Sequence, residues 1–441
     1  LTSCLMNMQS NSETEVVIIG AGVVGASIAL EIQRSGRTVL VVDKGESVGG
    51  GSTSASSALI RFNYSTRSGV VAAWESFHRW NAWEEHLGYV DGPVAKFHPL
   101  SMLLLEPPDF DRSSYLEHFN ELGIPFEELT ESDLSEKYPM FDTGRFWPPS
   151  LPDDEHFFEG GKGKLGGFFV PNGGFIDDPQ LATQNLMDAA RHFGAKVSLR
   201  TSVVAIEKSQ NKVLGVQLNN GEIIKSSIVI NAAGPWSSYI NDLAGVSETM
   251  EMSTRAMRQE VHAVPASEEF NIIDNPVMVG DLDLGFYSRP QPGGTLIVGG
   301  VEADCDPAVW IDDPDSDSPS PSIESWESLV WRLAKRVPEV SVPNRPTGLA
   351  SLYDVTPDWT PIYDRTDLGG FYVACGTSGN QFKNAPLIGH LMKELIYACE
   401  SGHDHDTDPV QVHCSMVNET VDLGTFSRNR KPVAGTGTVL G

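Results

Sequence analysis

Glycines at positions 20, 22 and 25, in the run VVIIGAGVVG, are the first residues whose spacing implies chemistry. Gly20 permits a tight turn, Gly22 lets the backbone approach a pyrophosphate, and Gly25 with Ala29 lets the following helix lie close to a sheet. The helix opening at Val23 and Val24 points amides and a partial positive charge at the phosphates. Asp43, about 20 residues downstream as the fingerprint requires, accepts hydrogen bonds from ribose hydroxyls, with Lys44 beside it. The apolar runs 16–19 and 39–42 predict the buried parallel strands that position these groups. Together they specify the adenosine end of a dinucleotide site, which serves a nicotinamide or a flavin nucleotide equally well.

A chain of 441 residues is too long for one typical core, so two domains are expected. The 59 acidic against 31 basic residues give a formal charge of −28. A field of that sign disfavours nucleic acid and anionic membranes as partners. No apolar run approaches the roughly 18 residues of a membrane span. The opening LTSCLMNMQSNSE lacks the basic and long apolar regions of a signal peptide, so a cytoplasmic location is expected. Five cysteines without a C-x-x-C pair suggest neither a disulfide framework nor a zinc site, and no metal is expected.

Residues 49–57 read as a Gly/Ser-rich loop, and Trp74, Phe77, Trp80 and Trp83 recur on one face of a predicted helix, as core packing. Residues 97–165, with Pro107-Pro108 and Pro148-Pro149, read as loops and a domain crossing. A helix is predicted over 179–193, ended by Gly194, then strands at 196–199, 203–208, 213–218 and 228–231, with a hairpin turn at Asn219-Asn220-Gly221. Alternating strands over 256–300 suggest the antiparallel floor of a second domain. Residues 312–322, DDPDSDSPSPS, read as a solvated loop, and Ser322 as the N-cap of a helix reaching Arg336. A last strand over 370–374, a glycine turn at 376–379 and a helix from about 381 to 398 precede a polar tail from 401 that wraps the surface.

Three later segments accompany the fingerprint: GGFIDDPQLATQNLMDAA from Gly173, IVINAAGPWS from Ile228, and LYDVTPDWTPI from Leu352 followed by FYVACGTSGNQFKNAPLIG from Phe371. With them the chain resembles the D-amino-acid-oxidase-like flavoproteins, in the branch of sarcosine oxidases, dimethylglycine dehydrogenases and glycine oxidases. The resemblance implies an α/β (α+β overall) fold: a Rossmann-like FAD-binding domain with an inserted antiparallel-sheet substrate domain. It places the FAD domain at 14–100, 167–243 and 350–400, the substrate domain at 101–166 and 244–349, and a tail at 401–441. For the cofactor it implies contacts from Ser52, Thr53, Ser54, Val204, Ala233, Gly234, Gly376, Gly379, Asn380, Gln381, Phe382 and Lys383. Amides at 379–382 would stabilise negative charge on the flavin.

Residues 51–61, GSTSASSALIR, resemble the monomeric sarcosine oxidase segment whose arginine binds the substrate carboxylate, which falls on Arg61. Lys383 falls on the second carboxylate-binding cation, Tyr287 on a tyrosine that closes over the substrate, and neighbouring Arg289 offers a further anion contact. A planar fork and a point charge converging from distant segments suit a carboxylate. Ala55 and Ser351 stand where relatives carry a flavin-linked histidine or cysteine, so FAD is expected to be non-covalent. Ile297 stands near the oxygen-activating lysine, so the acceptor is O2 or an electron-carrier protein or quinone. The implied reaction is hydride transfer from the α or N-methyl carbon of an amino acid or N-alkyl amino acid, followed by imine hydrolysis. No catalytic base is invoked, and His78, His262 and His390 read as packing or surface residues. The alternatives are a 2-hydroxy-acid dehydrogenase and a flavin-binding subunit of a larger electron-transfer complex. Oligomeric state is left open.

Overall fold

The structure, a computed structural model, describes residues 11–107 and 110–432. Cys4 with the rest of residues 1–10, Pro108 of the Pro107-Pro108 pair, and residues 433–441 lie outside the described residues.

Strands of continuous apolar sequence build the first sheet, as expected for strands covered on both faces. Its order is Lys196–Ser198, Val39–Val42, Val16–Ile19, Ile228–Asn231, Phe371–Cys375 and Ile362–Arg365, parallel except for the last, antiparallel pair. The helices Val23–Arg34, Pro179–His192 and Ala385–Glu400 cover one face with one apolar core. Gly25 is where the first helix meets its own turn: a Cβ there would lie 2.0 Å from Gly20 O. Gly389 lets the last helix cross the first equally closely, a Cβ there falling 2.2 Å from Ser27 O. The expected fold class and every strand predicted around the fingerprint are present.

The second large sheet has nine strands and is mostly antiparallel, but it departs from the expected antiparallel floor at Val277–Asp281, which runs parallel to Ser101–Leu105. Segment 97–165 is also more ordered than its prolines suggest. It holds the strands Phe97–Pro99, Ser101–Leu105 and Glu127–Leu129 and the helices Ser113–Leu122 and Glu131–Lys137, the latter fixed by a capping box between Thr130 and Asp133. Pro99 and Pro107 flank the apolar strand at 101–105 without interrupting it. The helix Ile323–Arg336, capped by Ser322 as predicted, covers one face of this sheet and buries Arg336 between Asp281 and Asp283.

Register partners share a face of a sheet, so pairing identifies what the other face carries. Met102 pairs with Met278, Leu104 and Tyr287 with Gly280, Gly299 with Tyr287 and Val261, and Ser351 with Gln259. This row faces away from the covering helix.

Two polar segments read as solvated are tied down. In the 312–322 loop Asp315 forms an ion pair with Lys44 and accepts a hydrogen bond from Trp236 Nε1 at 3.2 Å, while Asp317 pairs with Arg258 at 2.9 Å. In the tail a hairpin of Gln411–Cys414 and Glu419–Asp422 packs against the helix Arg67–Asn81. Beyond it, Arg428 reaches Asp364 at 3.1 Å and Asp406 at 2.7 Å, and Arg430 reaches Asp358 at 2.8 Å. Asp364 and Asp358 lie well before the tail that supplies Arg428 and Arg430, so composition alone hid these pairings.

Arg428 and Asp364 are both buried, so Arg428→Ala strands a carboxylate in the interior, an effect of about 3–5 kcal/mol. The exposed Arg191–Asp188 pair is the control, with Arg191→Ala expected within about 1 kcal/mol of wild type in urea unfolding. Equal stability of the two variants would contradict the buried anchor.

Candidate active site

A cavity of about 1040 Å³ is lined from both large sheets. One group of lining residues surrounds the glycine fingerprint. Gly20, at φ +113°, makes a turn that a side chain would strain, and a Cβ there would lie 2.2 Å from Ala232 O. Gly22 caps the helix Val23–Arg34 without a side-chain hydrogen bond. Val23 N donates to Thr53 Oγ1 at 3.2 Å, and a Cβ on Gly22 would stand 3.3 Å from that oxygen. A bare helix N-terminus facing a hydroxyl across a missing side chain is a cradle for an anion. The Asp43 carboxylate accepts from Ala21 N and Gly45 N, each at 2.6 Å, which fixes its position and leaves lone pairs for hydroxyl donors. Val204, Ala233, Gly234 and Ser52 line the same region. Lys44 lines it as well, its ammonium paired with Asp315 and 4.0 Å from the centre of the Trp236 ring.

The other group is built around two buried cations. Arg61 donates to Asn63 O at 3.0 Å and Asn63 Oδ1 at 3.1 Å. Lys383 Nζ donates to Asn380 O at 2.7 Å and Tyr64 Oη at 3.0 Å, and Tyr64 itself donates to Asn380 O. Arg61 and Lys383 are 6% and 4% exposed yet both line the cavity. Burial holds the Lys383 ammonium well below the usual lysine value, and the neighbouring Arg61 charge adds to the effect. Burial likewise lowers Arg61 and raises the Tyr64 phenol to about 12.

The glycine turn after Phe371–Cys375 holds this wall. Asp354, buried, accepts from Gly376 N at 2.6 Å and Thr377 Oγ1 at 2.5 Å, and its carbonyl accepts from Ser378 N at 3.0 Å. Ser378 is thereby kept at φ +47°, a left-handed conformation that a serine rarely adopts without such support. Gly379, at φ +69°, leaves room for the Tyr353 ring, which a Cβ would meet at 2.2 Å. The helix expected from residue 381 begins as a tight turn, Phe382–Asn384, and becomes α-helical at Ala385–Glu400. From behind, Trp80 Nε1 donates to Lys383 O at 2.8 Å and the Trp80 ring stacks on Phe382, so the aromatic stripe is core packing that also supports the site.

Tyr287 lines the cavity with its hydroxyl 2.7 Å from Ser57 Oγ, and a Cβ on Gly299 would collide with its ring at 2.5 Å. Arg289 does not line the cavity: its guanidinium donates to Ser57 O and lies 3.7 Å from the Phe175 ring centre, and burial lowers it to about 10. Ala55 and Ser351 line the cavity, whereas Ile297 and the histidines His78, His262 and His390 do not.

The model of the FAD dependent oxidoreductase (DAO) family matches residues 15–395. The chain belongs to that family. FAD is therefore its cofactor, and the cradle at Gly22, the fixed Asp43 carboxylate and the cavity of about 1040 Å³ fit an anionic dinucleotide. A Xenopus laevis protein described as FAD-dependent oxidoreductase domain-containing protein 1 is 24% identical over 87% of this chain and 79% of its own length. Glycine oxidase of Geobacillus kaustophilus is 23% identical over 88% of this chain and 94% of its own. Among solved structures, L-proline dehydrogenase from P. horikoshii shares the fold with a TM-score of 0.71 at 24% identity, over 89% of this chain and 99% of that one.

Of the cofactor positions expected in this family member, all but Gly25, Ser54 and Gly376 line the cavity. Gly25 packs beneath the turn, Ser54 Oγ donates to Gly51 O at 2.8 Å, and Gly376 faces Thr356, whose Cγ2 a Cβ would meet at 2.4 Å. Sequence reasoning missed Tyr64, Tyr353, Gln259 and the acidic residues 312–315, all of which line the cavity or brace it. Asp354 lay inside the LYDVTPD motif, where a buried acid two residues ahead of Thr-Pro was the available signal.

Gly22→Leu fills the anion cradle while leaving the backbone conformation accessible. Purified as isolated, this variant is expected to carry less than about a tenth of the wild-type flavin absorbance per protein, at unchanged far-UV circular dichroism. Wild-type flavin content would show that the cradle is not the phosphate site.

Proposed function

We propose that this FAD-dependent oxidoreductase oxidises the C–N bond of an amino acid or N-alkyl amino acid. The carrying observation is the burial of Arg61 and Lys383 together on one cavity wall of a chain with formal charge −28. A guanidinium fork and an ammonium point charge that border one cavity match the two oxygens of a small carboxylate. FAD, when bound, supplies a two-electron acceptor for hydride. Gly20, Gly22, Asp43, Thr53 and Val204 would hold its adenosine and phosphate portion, and the 379–383 turn its reactive portion. In this reading residues 14–100, 167–243 and 350–400 are the cofactor unit and 101–166 with 244–349 the substrate unit. Ala55 and Ser351 offer neither histidine nor cysteine, which supports non-covalent FAD.

The chain's own groups act by placement. Arg61 presents a fork and Lys383 a point charge to the carboxylate, fixing the carbon that loses hydride. Asn63, Tyr64 and Asn380 keep both cations from swinging away. Tyr287, held by Ser57, closes the cavity above the substrate and excludes water. The substrate amine must be neutral to release hydride, and the adjacent cations favour its deprotonation. Ile297 sits in an apolar cluster with Tyr287 and Val301 and brings no charge to the cavity. That favours an electron-carrier protein or quinone over O2 as acceptor. Relatives named as sarcosine dehydrogenase and glycine oxidase support an amine substrate.

Anaerobic mixing of the holoprotein with amino, N-methylamino and 2-hydroxy acids, followed by loss of oxidised-flavin absorbance, tests the reading. Bleaching by hydroxy acids alone would replace it with alcohol oxidation, and readmitted air then times the use of O2. Arg61→Ala and Lys383→Met are each expected to lower kcat/KM by roughly 10²–10³-fold.

Lys383 carries its charge only below its lowered pKa, so the affinity for an unreactive carboxylate such as propionate is full on the acid side. It falls as pH rises through that value, and Lys383→Met removes the dependence. Spectral titration of wild-type and Lys383→Met holoprotein across the pH range in which both stay folded measures this, and equal affinities of the two at every pH would contradict the role of Lys383.

A further inference from the structure

We infer that the cavity takes a carboxylate bearing an uncharged, apolar substituent of leucine-like or proline-like size; this deepens the amine-oxidation reading and, as a statement about the amine substrate, rests on it. The inference comes from the apolar residues that line the same cavity as the cations. The large sheet turns one row of register partners to the cavity, and the apolar side chains of that row that line it are Met102, Leu104, Met278 and Val261, joined by Leu59. None of these carries a charge or a hydrogen-bonding group. Of the polar members of the row, Tyr287 is engaged with Ser57 at 2.7 Å and Gln259 with Glu302 at 3.1 Å, and Ser351 stands on the next strand beside Gln259.

Gly280 sits in the middle of this row, paired with Leu104 on one side and Tyr287 on the other. A Cβ there would lie 2.6 Å from Leu104 Cδ2, so a side chain at 280 would take up part of the lobe. Met102, Leu104 and Met278 are almost wholly buried and still border the cavity, so the lobe they form is apolar. Arg61 and Lys383 border the same cavity as this row, so a substrate held there by its carboxylate can lay its remaining atoms against it. A hydrogen substituent, as in glycine, leaves apolar surface uncovered, and a charged one loses its hydration without a partner. The unbranched thioethers of Met102 and Met278 adapt to branched or cyclic shapes alike.

The test is built on binding, so that it reads the lobe separately from the chemistry. Holoprotein is titrated with acetate, butyrate, 4-methylpentanoate and succinate, following the flavin absorbance shift. Affinity is expected to rise about fourfold per methylene up to 4-methylpentanoate, with succinate no tighter than acetate. Gly280→Leu is expected to lower the ratio of 4-methylpentanoate to acetate affinity by at least about tenfold. Should that variant not fold, Met278→Ala, which enlarges the lobe, should move the preference to longer acids. Affinity independent of chain length, or succinate as the tightest ligand, overturns the inference.

The same holoprotein is then mixed anaerobically with glycine, sarcosine, leucine, N-methylleucine, proline and glutamate. Faster bleaching by leucine, N-methylleucine or proline than by glycine, sarcosine and glutamate supports the inference. Fastest bleaching by glycine, sarcosine or glutamate overturns it and leaves amine oxidation standing. Binding that tightens with chain length while no amine bleaches the flavin retires amine oxidation and leaves the apolar lobe in place.

Discussion

Two positive side chains, Arg61 and Lys383, are taken out of water on one wall of the cavity, and much of the surrounding architecture offsets that burial. A desolvated ammonium or guanidinium is tolerated only where its donors are satisfied and its position is enforced. Asn63 and Tyr64 do this from the segment beside Arg61, and Asn380 from a turn more than three hundred residues away. That turn depends in turn on Asp354, and the backbone of Lys383 on Trp80. Each support belongs to a different element, so the charge pair is where the separate parts of the chain are obliged to agree.

The large sheet divides its work by strict alternation. Residues on one face pack beneath the helix Ile323–Arg336, with Arg336 neutralising Asp281 and Asp283 in the interior. Residues on the other, Met102, Leu104, Met278 and Val261 among them, line the cavity that Arg61 and Lys383 also border. A shift of one residue in any strand would exchange the faces. The acidic loop that leaves this sheet returns to Lys44 and Trp236, immediately after the acid of the glycine fingerprint. A loop of the large sheet thus borders the cavity residues around the fingerprint.

What could be read from the sequence was local. The strand, glycine turn, helix and acid of residues 16–43 lie within one short stretch, and Ser322 announces its helix by a single side chain. Arg61 and Lys383 were reached through motif resemblance, not through any pattern of their own. What could not be read was long-range. Met102 faces the cavity because it pairs with Met278, and that parallel pairing leaves no mark on either strand. Proline density made 97–165 look irregular, although its prolines flank the strand at 101–105. Polar composition made 312–322 and the tail look solvated, although Asp315, Asp317, Arg428 and Arg430 each have a charged partner distant in sequence.

The order of strands in the first sheet also governs when the protein can form during synthesis. Val16–Ile19 lies next to Ile228–Asn231, which lies next to Phe371–Cys375. A ribosome releasing the chain from its N-terminus exposes the first of these long before its neighbours exist, and the carboxylates of Asp358 and Asp364 before Arg428 and Arg430. Non-local parallel pairings of this kind close late and leave unpaired edges in the interim. The nucleotide cradle is therefore among the earliest segments made and among the last to be completed. Molecules still emerging have apolar strand edges to protect and no finished site in which a cofactor could help to shield them.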